Sequence, residues 1–164
     1  MSCKNALIDN VVTIPPDATV KDALQMIEQS GIRSIPVVDS DSNYIGMFGL
    51  HCLMDDLLPM AARMENGIED LGFVTDGAPS AAKKIRKLSP QTIRSIMQEG
   101  REESAVLSPE IPMLEVIRRL SKYGSPLPVV DENKKFVGLV SEQSSLIHLR
   151  KVLEAVEKEE KNQQ

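Results

Sequence analysis

The sequence has no tryptophan, two tyrosines and three phenylalanines, so aromatic residues make up only 3% of its 164 positions. Its core must be built from Leu, Ile, Val, Met and Ala, with eight methionines to fill irregular gaps. Two cysteines, Cys3 and Cys52, are too few for a disulfide framework and suit a reducing, cytoplasmic setting. No apolar run approaches the roughly 20 residues that cross a bilayer. No apolar stretch follows a basic segment near residue 1, so neither membrane insertion nor a signal peptide is expected. A net charge of −5 lacks the basic footprint that a nucleic-acid polymer requires. It leaves open the binding of a single nucleotide, for which a few local cations suffice.

Catalytic chemistry is equally sparse. His51 and His148 are the only histidines. His51-Cys52 resembles a nucleophile pair or half of a metal site, but adjacent residues on a helix do not face each other, and no third ligand stands at metal spacing. No P-loop, dinucleotide fingerprint or nucleophile elbow is present, and Gly46-x-x-Gly49 is not a phosphate loop. Asp55-Asp56 and Glu102-Glu103 read as solvated charge rather than acid–base pairs. No catalytic residue and no metal ligand is assigned, and no enzyme activity is expected.

What the chain does have is a duplication. Gly31-Ile32-Arg33-Ser34-Ile35-Pro36-Val37-Val38-Asp39 is followed by Tyr44-Ile45-Gly46-Met47-Phe48. Later, Tyr123-Gly124-Ser125-Pro126-Leu127-Pro128-Val129-Val130-Asp131 is followed by Phe136-Val137-Gly138-Leu139-Val140. Pro36, Val37, Val38, Asp39 and Gly46 fall on Pro128, Val129, Val130, Asp131 and Gly138 at an offset of 92. One supersecondary unit built twice usually completes a shared core.

The elements repeat in the same order. Residues 3–9 read as a short helical lead-in. Val11 to Ile14 is β-branched and reads as an opening strand. Asp17 and Thr19 are candidate caps for a helix whose Val20, Ala23, Leu24 and Ile27 form one apolar stripe. Ser34–Val38 and Tyr44–Phe48 form a hairpin around an Asp/Ser/Asn turn, and a helix runs from Leu50 to Leu58. In the second copy, Glu103 to Leu107 is the opening strand. Ser108-Pro109-Glu110 mirrors Pro15-Pro16-Asp17, and Val116, Ile117 and Leu120 mirror Ala23, Leu24 and Ile27. Leu127–Val130 and Lys135–Val140 are the second hairpin, and a last helix starts near Ser141 and reaches about Lys158, after which the chain is expected to fray.

Between the copies lie residues 59–102, too long for a plain connector. Met60 to Met64 extends the preceding helix, Gly72 to Ser80 reads as loop, and Ala81 to Leu88 as a basic amphipathic helix. Ser89-Pro90 reads as the start of a helix over Gln91–Met97. The domain reading is therefore a first unit over 1–58, an insert over 59–102, a second unit over 103–150 and a helix end with a polar tail over 151–164.

The twice-found hydrophobic-Pro-Val-Val-Asp strand and apolar-Gly-apolar-apolar strand resemble the CBS domain, and the pair resembles a Bateman module. The match covers roughly 11–58 and 103–150, and Ile96-Met97 resembles the Ile-Met that leads into these domains. The resemblance implies a mixed α/β (α+β) fold: two βαββα units packed about a pseudo-twofold axis, with a helical and loop insert between them. It implies two clefts that hold AMP, ADP, ATP or S-adenosyl methionine, none of them required for folding. It also implies a homodimer that biases an unknown regulated protein, a transporter or an enzyme.

The family's ribose-contacting signature is Gly-apolar-apolar-Thr/Ser-x-x-Asp. The second copy has Gly138-Leu139-Val140-Ser141-Glu142-Gln143-Ser144, so Ser141 matches the hydroxyl and Ser144 stands where Asp belongs. The first has Gly46-Met47-Phe48-Gly49-Leu50-His51-Cys52, with Gly49 and Cys52 at those positions. The resemblance places the second ligand site at Leu107, Ser108, Leu127, Pro128, Ser141 and Ser144. The first falls at Thr13, Ile14, Arg33, Ile35, Pro36 and Gly49. The alternative is a structural or dimerisation module with degenerate clefts, in which Ser141 is simply a helix cap and Leu127 ordinary core.

Overall fold

The computed structural model describes residues 1–58, 77–97 and 105–162. The expected helical extension at Met60–Met64, the loop residues before Gly77, and Glu102-Glu103 lie outside the described residues. The elements run α1 (Val20–Ser30), β1 (Ser34–Val38), β2 (Tyr44–Gly49), α2 (Leu50–Leu57), α3 (Gly77–Leu88), α4 (Ile93–Ile96), α5 (Met113–Tyr123), β3 (Leu127–Val130), β4 (Phe136–Val140) and α6 (Glu142–Asn162). A 3-10 turn, Cys3–Ala6, precedes them. The sheets are two hairpins, β1–β2 and β3–β4, the latter antiparallel with Pro128 opposite Leu139.

Backbone contacts divide the chain into two compact units. One comprises Thr13–Asp39 and Ile45–Glu99; the other comprises Met1–Val12, Ser40–Tyr44 and Gly100–Gln164. In the first, α1 starts with a reciprocal box. The Thr19 hydroxyl accepts from the Asp22 N–H (3.2 Å), and the Asp22 carboxylate accepts from the Thr19 N–H (3.0 Å). Thr19, not Asp17, is thus the cap. The helix ends at Gly31, whose φ of +68° is the left-handed turn that glycine adopts without cost. Its apolar stripe packs with Ile14, Ile35, Val37, Phe48, Leu53 and Ile93 into one core.

The second unit repeats this with substitutions: Leu107, Met113, Val116, Leu120, Leu127, Val129 and Val140. Cys3 and Ala6 complete that core, burial pushes the Cys3 thiol up to about 11, and Arg119 donates to the Val106 carbonyl (2.9 Å). Each buried aliphatic side chain contributes about 1.5–3 kcal/mol of transfer free energy.

Two expectations need correction. The opening strands shrink to one parallel bridge each. Ile14 N–H donates to the Pro36 carbonyl (3.0 Å) and its carbonyl accepts from Val38 (3.0 Å). Leu107 does the same with Pro128 and Val130 (both 2.9 Å). Proline fits these strands because only its carbonyl is used there. Second, α3 begins at Gly77 rather than Ala81 and α6 persists to Asn162, while the helix expected over Gln91–Met97 is only Ile93–Ile96, capped by Thr92. Ile96 and Met97, read as the lead-in to the second copy, pack against the first unit's core.

Candidate functional site

Two candidate residues of the second repeat, Ser141 and Ser144, meet at the start of α6. Ser141 is the residue before the helix. Its hydroxyl accepts from the Ser144 N–H (3.0 Å), and the Ser144 hydroxyl accepts from the Ser141 N–H (3.0 Å) and donates to the Ser141 carbonyl (3.2 Å). This is the Thr19–Asp22 box with a hydroxyl in place of the carboxylate. The Glu142 N–H is taken by the Ser125 hydroxyl (3.2 Å). Among the first three N–H groups of α6, only Gln143 lacks a side-chain cap.

The other four candidates divide. Leu107 and Leu127 are core residues, and Pro128 is buried beside them. Both backbone groups of Leu107 are used, as is the carbonyl of Pro128. Ser108 is exposed, and its carbonyl accepts from Ile111 (3.2 Å). The side-chain hydroxyls joined at the start of α6 are those of Ser125, Ser141 and Ser144. Their hydroxyls can donate and accept, so a ribose hydroxyl can replace the Ser141–Ser144 exchange without stranding either group.

Sequence reasoning missed Ser125. It stands 92 residues after Arg33. Arg33 makes the same contact with its backbone: its carbonyl accepts from the Leu50 N–H (3.1 Å) at the start of α2. Aligning the helix starts alone would have found it.

In the first repeat, Gly49 precedes α2 and offers no side-chain cap. Ile14, Ile35 and Pro36 are buried, and Thr13 and Arg33 are exposed. No hydroxyl or carboxylate stands at the Gly49 and Cys52 positions, so the start of α2 lacks the side-chain oxygens that Ser141 and Ser144 bring to the start of α6.

A pocket of about 60 Å³ in the first unit is wholly apolar, lined by residues of α1, α2 and α3 such as Leu24, Leu53 and Ile85. None of the candidate residues lines it. The basic helix α3 sits against this face through Ile85 and Leu88, and Lys84 donates to the carbonyls of Leu57 (3.3 Å) and Leu58 (2.8 Å) at the end of α2. Among the described residues, no three His, Cys, Asp or Glu side chains are grouped to hold a metal, and no helix is long and apolar enough to cross a membrane.

Comparison with known proteins agrees with the duplication. CBS domain matches cover residues 3–58 and 93–144. A CBS domain-containing protein of Dictyostelium discoideum is 28% identical over 153 residues, covering 93% of this chain and 94% of that protein. An inosine-5'-monophosphate dehydrogenase of Methanocaldococcus jannaschii is 23% identical over 135 residues, 82% of this chain but only 21% of the dehydrogenase. The CBS-pair protein CBSX2 from Arabidopsis thaliana shares the fold with a TM-score of 0.68 at 17% identity, covering 93% of this chain and 96% of that one. A second structure, CBSX2 in complex with AMP, matches with a TM-score of 0.65 at 17% identity over 92% and 97%. The chain thus belongs to the CBS domain family, as a tandem pair of CBS domains.

Proposed function

We propose that the chain is a regulatory ligand-sensing module that takes an adenosine nucleotide at its second repeat and biases a partner or attached protein. The observation that carries this is the hydroxyl cluster at the start of α6, Ser141 and Ser144 with Ser125. The AMP complex of CBSX2, a protein of the same fold, supports an adenosine ligand. In this reading the ribose hydroxyls replace the Ser141–Ser144 exchange. The walls near Leu107 and Leu127 flank the base. Binding shifts the populations of two packings in proportion to its preference between them. The free thiols Cys3 and Cys52 suit a cytoplasmic setting.

Titration calorimetry with AMP, ADP, ATP and S-adenosyl methionine tests it. The expected result is saturable heat with at least one of them, lost in the double variant Ser141→Ala/Ser144→Ala. No heat at millimolar ligand with any of the four rejects the reading.

One observation favours a second reading, an interaction module that binds no nucleotide. The Ser141–Ser144 pair is already satisfied, and the far part of α6 carries exposed Leu153 and Val156. On this reading the helix face joins two copies into a homodimer. Sedimentation of the chain with and without residues 149–164 separates the two: association that survives the truncation does not use that face.

A further inference from the structure

Each unit has a seat for one short capped turn, and different stretches of chain fill the two seats. In the first unit, Thr92 caps Ile93–Ile96 through the Ser95 N–H (3.3 Å) and bridges Thr19. In the second, Ser2 precedes Cys3–Ala6 and bridges Pro112. The backbone bonds correspond one to one. Ile93 N–H donates to Ala18 O (2.8 Å) and Cys3 N–H to Ile111 O (2.9 Å). Arg94 N–H donates to Pro16 O (3.0 Å) and Lys4 N–H to Pro109 O (3.3 Å). Val20 N–H donates to Gln91 O (2.9 Å) and Met113 N–H to Met1 O (3.3 Å).

The fillings are unequal. The first seat receives Ile93, Ile96 and Met97, the second Cys3, Ala6 and Leu7; Cys3 and Ala6 remove far less apolar surface from water than the two isoleucines they replace. All three bonds are longer in the second seat, by 0.1 Å at Cys3 and by 0.3 to 0.4 Å at Lys4 and Met113. Beyond it, Ile8 exchanges two backbone bonds with Leu139 (2.8 and 3.0 Å) at the edge of β4, and the chain then runs through Asp9–Thr13 without regular structure, Val12 and Thr13 exposed.

We propose that Met1–Ile8 is a separable plug, which leaves its seat while both units stay folded. Its departure frees the Pro109 and Ile111 carbonyls, the Met113 N–H and the Leu139 edge together. The second repeat then presents an unfilled seat for a capped turn, and the first repeat does not. Local opening of this kind draws on the elements with the fewest buried apolar contacts.

Cys3 reports the opening, because it is fully buried in the seat and its raised thiol does not react there. The full chain carrying Cys52→Ser is treated with iodoacetamide over a urea series below the unfolding transition. Cys3 is expected to react at a rate almost flat in urea, at least about tenfold faster than global unfolding permits, with the helical circular-dichroism signal retained after complete labelling. A Cys3 rate that climbs with the slope of global unfolding from the lowest urea overturns the proposal. In the chain carrying Cys3→Ser, Cys52→Ser and Ile93→Cys, the new thiol is expected to react about tenfold more slowly; an equal rate also overturns it. Should Ile93→Cys not fold, the urea slope of Cys3 alone decides.

Discussion

Tyr44 and Phe136 occupy the same position of the two repeats, and they stack on one another with ring centroids 6.2 Å apart and planes 20° from parallel. The backbone around them is reciprocal too. The Tyr44 N–H donates to the Lys134 carbonyl (3.0 Å) and the Phe136 N–H to the Ser42 carbonyl (2.9 Å). Ser42 and Lys134 are themselves equivalent positions, and both take positive φ, 65° and 61°. An offset-stacked aromatic pair contributes about 0.5–1.5 kcal/mol beyond its burial. A double-mutant cycle with Tyr44→Ala and Phe136→Ala, read by urea unfolding, is expected to give a coupling energy in that range.

The repeated glycines of β2 and β4 are there for space. A Cβ on Gly138 would overlap the carbonyl oxygen of Ile8, so it is accommodated only by breaking the bonds that Ile8 and Leu139 exchange. A Cβ on Gly46 would meet only the terminal methyl of Met97, which swings aside. Gly138→Ala should therefore cost about 2–3 kcal/mol and Gly46→Ala less than about 1, measured by chemical denaturation.

Much of this architecture was legible in the chain. The Pro-Val-Val-Asp copies fixed both hairpins, and Val20, Ala23 and Ile27 marked the buried face of α1, because these are short-range patterns with a period of their own. The opening strands were not legible. Val11 to Thr13 have strand propensity but only Ile14 finds a partner, since pairing depends on what Val37 offers across the fold. The destination of Ile96 and Met97 was hidden for the same reason: sequence adjacency favoured the second repeat, packing chose the first. At the site, Ser141 and Ser144 were visible from spacing. Ser125 was not, because its partner Glu142 lies across a hairpin.

Ser145 is the second repeat's counterpart of Leu53, and its buried hydroxyl has no hydrogen-bond partner among the described residues. A buried hydroxyl without a partner costs on the order of 1–3 kcal/mol. Ser145→Ala removes it with little change in volume and improves helix propensity. The melting temperature should rise by a few degrees, read by calorimetry.

Glu115 accepts two bonds from Arg118 (both 2.6 Å) and one from Arg119 (2.9 Å). The Arg118 bonds, then the Arg119 bond, hold its carboxyl down to about 2, against an ordinary 4.5. A folded value below the unfolded one stabilises the protein above the unfolded value, and that stability is lost as pH falls from 4.5 toward 2. The melting-temperature gap between the natural chain and Glu115→Gln should be constant near neutral pH, shrink below 4.5 and close near 2.

Ser144→Asp would rebuild at α6 the box that Thr19 and Asp22 form at α1. It should add about 0.5–1 kcal/mol of stability through the helix start. If the ribose sits there, it should also tighten AMP about tenfold, since a carboxylate binds hydroxyls more strongly than a hydroxyl does. Calorimetry that finds the stability gain with unchanged affinity would place the ribose elsewhere.

The assignment of Met1–Val12 to the second unit has a topological corollary. The first unit is nearly continuous in the chain, from Thr13 to Glu99, whereas the second is assembled from both ends of it. A permuted gene that joins residue 164 to residue 1 through a linker and opens the chain between 99 and 100 would reunite those ends in one run. The order in which the ribosome delivers the two domains could then be inverted without rewriting either core.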